Sequence, residues 1–281
     1  MSSLCTPPGG PSTCHRYGAC MSGRDTVESR DGTRIALQTT GDGPPVLIVH
    51  GSVSDGSDWK EVAARLSRRF TVHIMTRRGV GRSSDGPMYA LEHEYDDIVA
   101  VLNATAAQRL VGHSFGAICA LGAALIVERL DRLVLYEPPL NIHTPVVSDD
   151  VLSEIHLADR RGDVAAVVEI GLRRCVRMPA EDVDAMKGAP LWSELVRDGR
   201  SWAREMQAIH DLPSGAGRYA TITTPTLLVV GEETQPHHRD AVEALATVLP
   251  HAEIVELSEV GHDANLLVPE VLARDLAHFL S

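Results

Sequence analysis

The sequence predicts an α/β fold, a mostly parallel eight-stranded sheet flanked by helices and carrying an inserted helical cap. Three observations predict it. Short apolar runs alternate with one-sided helical patterns over residues 26–140 and again over 218–281. Residues 141–217 break this alternation with four helical patterns and no strand. Within the first half, Gly112-His113-Ser114-Phe115-Gly116 joins a buried-strand run to an almost unbroken apolar run, Ala117 to Val127. Alternating strands and helices imply parallel strands wound by right-handed crossovers, with helices on both faces.

The elements follow in order. Thr26 to Arg30, the Asp31-Gly32 pair and Thr33 to Thr40 read as a hairpin. Val46-Leu47-Ile48-Val49 reads as a strand buried on both faces, ending in His50-Gly51-Ser52. Trp59, Val62, Ala63 and Leu66 recur at i, i+3, i+4, i+7, the stripe of an amphipathic helix. Phe70 to Met75 is the next strand, closed by Arg78-Gly79-Val80-Gly81-Arg82-Ser83. The helix after it places Tyr95, Ile98, Val99 and Leu102 on one face and acidic residues near its N-terminus, where they suit the helix dipole. The glycine-flanked serine comes next, and then a buried strand, Arg132 to Tyr136, running into Glu137-Pro138-Pro139.

The four helical patterns of the insertion lie at about 149–161, 163–177, 180–187 and 190–210. Trp192, Trp202 and Met206 either line an apolar pocket beneath this cap or bury it against the sheet domain. Pro225 to Gly231 resumes the strands. A helix striped by Val242, Leu245, Ala246 and Leu249 follows, then a strand from Ala252 to Leu257, then a turn holding Gly261-His262. A helix with Pro269 in its first turn closes the chain.

Composition narrows the function. A net charge of −12 argues against a nucleic-acid partner or an anionic membrane surface. No apolar run reaches the ~20 residues of a membrane span. Residues 1–25 read as a disordered tail, rich in Pro, Gly, Ser and Thr and without the apolar stretch of a signal peptide. A cytoplasmic location follows by default. Three of the five cysteines, Cys5, Cys14 and Cys20, fall in this tail, with a spacing unlike that of a zinc module. Cys119 and Cys175 lie in apolar helical patterns, so no disulfide framework is expected.

The chemistry centres on Ser114. A strand–turn–helix context around Gly-x-Ser-x-Gly holds a serine in a strained turn and aims its hydroxyl out of the sheet. A serine hydroxyl needs a base, and the base needs a carboxylate to orient it. Thirteen histidines compete for that role. His262 is selected, because it follows the last strand at the same edge as Ser114. His113 adjoins the serine but points away from it; His50 sits at a strand end where backbone could hold it or a pocket expose it; His237 and His238 open a helix and read as solvated.

These motifs resemble the α/β-hydrolase fold family. His50-Gly51, Arg78-Gly79-x-Gly81-x-Ser83, Gly112-x-Ser114-x-Gly116 and Gly261-His262 carry the resemblance, in the family's order. It implies an oxyanion hole made by the N–H groups of Ser52 and Phe115, a small-molecule substrate, and no metal or cofactor. Two departures stand out. Thr76 replaces the usual Asp before the Arg-Gly motif, and the family's usual acid position, three residues after Gly231, holds Thr234. Glu137 at the end of the sixth strand is the favoured acid, as in some family members; Glu233 and Glu232 are the alternatives. The resemblance implies a serine hydrolase cleaving an ester, thioester or related acyl bond of a small, fairly hydrophobic molecule. It leaves open a C–C hydrolase, lyase or cyclase, and a non-catalytic small-molecule receptor. Epoxide hydrolases and dehalogenases are disfavoured, because they use Asp where this chain has Ser114. Oligomeric state is not legible.

Overall fold

The structure, a computed structural model, describes residues 26–281. The expected tail, with Cys5, Cys14 and Cys20, lies outside the described residues. In chain order the elements are β1 (Thr26–Glu28), β2 (Arg34–Thr40), β3 (Pro45–Val49), α1 (Lys60–Leu66), β4 (Thr71–Met75), α2 (Leu91–Thr105), β5 (Arg109–His113), α3 (Phe115–Ala124) and β6 (Arg132–Tyr136). Helices α4 (Asp149–Arg160), α5 (Val164–Ile170), α6 (Ala180–Lys187), α7 (Pro190–Asp198) and α8 (Trp202–His210) follow without a strand between them. Then come β7 (Thr226–Gly231), α9 (Pro236–Val248), β8 (Ala252–Leu257), α10 (Ala264–Leu267) and α11 (Pro269–Phe279).

The eight strands form one sheet in the order β1-β2-β4-β3-β5-β6-β7-β8. Strand β2 pairs antiparallel with β1 and β4, and every pairing from β4 to β8 is parallel. The inner strands bury both faces. In β3, Leu47 and Val49 enter one core while Val46 and Ile48 enter the other. In β7, Leu228 and Val230 pack opposite Leu227 and Val229. A two-sided strand of this kind has no polar face, which is why these runs read as continuously apolar. One core contains α2, α3, α9 and the inserted helices, and the other contains α1 and α11. Among the described residues no helix is long and apolar enough to cross a membrane.

Register positions the site. His113 pairs with Tyr136, and Tyr136 with Val229. The residues that leave the sheet next, Ser114 from β5 and Glu137 from β6, are therefore neighbours at its carboxyl edge. The Ser114 N–H donates to the Tyr136 carbonyl at 2.8 Å, which fixes this adjacency.

Candidate active site

Ser114 caps α3 with φ 53° and ψ −123°, a conformation that L-residues rarely hold. Close packing enforces it. A Cβ on Gly116 would stand 2.4 Å from the carbonyl oxygens of Val49 and His50; one on Gly112 would stand 2.7 Å from Ala117 Cα. Phe115 opens the helix, so its N–H has no partner in a preceding turn. The β3 loop meets the same point: a Cβ on Gly51 would lie 3.0 Å from Ser114 Cβ. Val53, just beyond Ser52, also holds a positive φ of 48°.

Glu137 is fully buried and has φ 47°. Its Oε1 accepts the Gly231 N–H at 2.8 Å. Its Oε2 accepts the Thr234 hydroxyl at 2.8 Å and lies 2.5 Å from His262 Nδ1. The carboxylate thus has a partner on both oxygens and faces the imidazole with no solvent between them. Burial disfavours the charged form of His262, but the hydrogen bond and charge of Glu137 more than offset this and raise its pKa above the ordinary value. The other two acids considered do not reach it. Glu232 and Glu233 are exposed, and Glu232 accepts the Glu259 N–H at 3.0 Å.

His262 is held from below and behind. Tyr136 donates its hydroxyl to the Gly261 carbonyl at 2.5 Å and accepts the Ala264 N–H at 3.0 Å. His113 donates Nε2–H to the His262 carbonyl at 3.0 Å and stacks on Tyr136 with ring centroids 4.6 Å apart. The residue beside the serine is therefore a support for His262.

Two sequence expectations need correction. His50 faces no pocket. It is fully buried, accepts the Arg77 N–H at Nε2 (3.1 Å), and places Nδ1 2.8 Å from the Gly51 carbonyl. Both nitrogens are spent on backbone, and burial followed by the Arg77 charge pulls its pKa down to about 3. His237 and His238 are not solvated but 5% and 3% exposed; their rings pack on one another, and His238 stacks on His262. Trp202 and Met206 are buried in the core that joins the insertion to the sheet, and Trp192 is half-buried against it. The Trp202 ring rests on Gly171, where a Cβ would stand 2.6 Å away.

Arg77 carries a structural role that sequence reading missed. Its guanidinium is fully buried, binds Glu94 at 2.9 Å and Glu205 at 2.7 Å, and donates to the Gly51 carbonyl at 3.2 Å. Glu205 lies on α8, so one buried cation ties the insertion to the loop bearing Ser52. Burial raises the Glu205 pKa, but the Arg77 charge and hydrogen bonds from Ser52, Arg77 and Ser201 outweigh this and hold its carboxyl below the usual range.

Among the described residues, Glu137, His238 and His262 bring ligand-type atoms within 4.8 Å of one another. Glu137 Oε2 and His262 Nδ1 already face each other, so this set reads as an oriented acid–imidazole pair and not as a metal cage.

The fold and this edge of the sheet define a protein of the hydrolase type, and comparison agrees. A family model described as the alpha/beta hydrolase family matches residues 46–275, and the chain belongs to that family. It is 28% identical over 258 residues to the 2-(acetamidomethylene)succinate hydrolase of Mesorhizobium japonicum, covering 88% of this chain and 91% of the relative. An alpha/beta hydrolase from Sphaerobacter thermophilus superposes with a TM-score of 0.81 at 30% identity, covering 91% of this chain and all of that one. A thermophilic esterase from Thermogutta terrifontis shares the fold at 22% identity, with a TM-score of 0.76 over 92% of this chain and 98% of its own.

Proposed function

We propose that the protein is a serine hydrolase that cleaves an ester or related acyl bond with Ser114, His262 and Glu137. His262 takes the Ser114 proton as the hydroxyl oxygen attacks the carbonyl carbon. The N–H groups of Ser52 and Phe115 receive the developing oxyanion, each worth roughly 3–4 kcal/mol in systems of this kind. The imidazolium then returns the proton to the departing oxygen or nitrogen, leaving an acyl group on Ser114. Water, deprotonated by the same imidazole, hydrolyses that acyl-enzyme. Glu137 orients Nδ1–H and stabilises the imidazolium.

The observation that carries the reading is the 2.5 Å contact between Glu137 Oε2 and His262 Nδ1. The Gly231 and Thr234 donors support it by fixing the carboxylate in place against the imidazole. Family membership and a relative named as a 2-(acetamidomethylene)succinate hydrolase support it independently.

The test is covalent. Purified protein is treated with a fluorophosphonate and its intact mass measured, beside Ser114→Ala and Glu137→Gln. Stoichiometric labelling, absent in Ser114→Ala and slowed in Glu137→Gln, is expected. A folded wild type that takes no label would overturn the reading and direct the search toward lyase chemistry or ligand reception.

A further inference from the structure

We propose that His237, His238 and Arg177 form a subsite for a carboxylate on the substrate, beside the catalytic imidazole, so that the preferred substrates are anionic acyl compounds. This rests on the hydrolase reading for its setting.

His237 and His238 lie in the first turn of α9, a helix of thirteen residues. Their rings are 4.1 Å apart, and His238 stacks on His262 at 4.4 Å with an interplanar angle of 16°. Both side chains are more than nine-tenths buried, yet none of their four ring nitrogens has a hydrogen-bond partner within the protein. A neutral imidazole always presents one donor and one acceptor, and burying them unpaired is costly. Four unpaired nitrogens beside His262 are the signature of groups awaiting a ligand.

The surrounding charge selects the ligand. Arg177 lies between α5 and α6. Burial first, and the Arg177 charge among the other causes, lower both pKa values, that of His237 to about 4. The rings are therefore neutral N–H donors at pH 7, and the positive charge comes from Arg177. Other arginines of the insertion, Arg173, Arg174, Arg197 and Arg204, each hold a carboxylate. Arg177 has none within ion-pair distance among the described residues; its hydrogen bond is a long one, 3.5 Å, to the Pro145 carbonyl. The N-terminal end of α9 adds its own preference for an anion. Glu137, the carboxylate that bears on His237, is committed to His262. A carboxylate would accept N–H bonds from the imidazoles and pair with the guanidinium.

The experiment compares esters that differ only in that carboxylate. The 4-nitrophenyl half-esters of succinic, glutaric and adipic acids are set against 4-nitrophenyl butanoate, pentanoate and hexanoate, in which a methyl replaces the carboxylate. For at least one length, kcat/KM for the half-ester should exceed that of its neutral partner tenfold or more. Arg177→Gln and His237→Ala should each lower that ratio at least tenfold, and Arg177→Lys should lower it less than Arg177→Gln. A ratio of one or below at every length, or one unmoved by Arg177→Gln and His237→Ala, overturns the proposal. Calorimetric titration of succinate, glutarate and adipate into Ser114→Ala tests the subsite without turnover. Saturable binding of one dianion, weakened tenfold or more by Arg177→Gln, upholds it, and no binding of any dianion overturns it. Fluorophosphonate labelling of the wild type reports separately on the hydrolase reading.

Discussion

Thr234 donates its hydroxyl to Glu137 Oε2 at 2.8 Å. The position that usually bears the acid in this fold thus serves a carboxylate that enters from the neighbouring strand. Thr234→Val should slow ester hydrolysis about tenfold, the scale of one lost hydrogen bond to a charged group. A transplant is the sharper test. Glu137→Gln combined with Thr234→Asp should recover at least tenfold of the activity that Glu137→Gln loses. A double variant no better than the single one would show that His262 cannot turn to a carboxylate on the β7 side.

Glu137→Gln alone should lower kcat by roughly 10⁴-fold, as for the loss of a triad carboxylate. It should also move the pH profile. Glu137 raises the His262 pKa, and activity requires the neutral imidazole, so activity rises as pH climbs through that pKa. Removing the anion lowers the pKa, and the acid limb of kcat/KM should shift to lower pH by about 1 unit or more. An unmoved limb with a normal rate would assign the limb and the acid to other groups.

The insertion is tied down by charge. Glu205→Ala removes one of two carboxylates from a fully buried guanidinium, and breaking such a pair costs about 3–5 kcal/mol. Urea unfolding at neutral pH should read a loss of that size, and a loss under 1 kcal/mol would mean that the Arg77 charge is satisfied without α8.

Acid should unfold the protein partly through His50. Its folded pKa of about 3 lies below the ordinary 6.5, so its contribution is complete above pH 6.5 and is lost as pH falls toward 3. At pH 5 it has lost ~2 kcal/mol. Glu94 opposes this. Burial leads the causes that push its pKa up to about 7, so its contribution falls as pH rises through that value. The readout is therefore a difference: His50→Gln should shrink the stability change between pH 7 and pH 5 by ~2 kcal/mol relative to wild type. An unchanged difference would mean that His50 titrates normally in the folded state.

Local pattern made the elements legible. The strand at Ala252–Leu257 and the first inserted helix, from Asp149, stand where apolar runs and helical stripes put them. The turn at Ser114 was legible because glycines must flank it. The meeting of Glu137 with His262 followed from strand register, since a glutamate leaving β6 is one strand from Ser114. What stayed hidden depends on contacts between distant segments. His50 is satisfied by the amide of residue 77, Arg77 by glutamates 17 and 128 positions on, and His238 stacks on His262 from beyond the following strand. No window of sequence around a helix start discloses what its side chains meet in the fold. The short helix α10 also escaped notice, because four residues carry no period.

Placing Glu137 on β6 divides the labour of the sheet edge. The end of β7 and the segment after it keep two fixed duties toward the carboxylate, the Gly231 amide and the Thr234 hydroxyl. It bears no group that must move a proton. The residues that follow, at the start of α9, carry the proposed subsite, while the proposed reacting groups leave β5, β6 and β8. In the proposed arrangement, substrate preference would sit on Arg177 and the start of α9, apart from the strands whose ends carry Ser114 and Glu137.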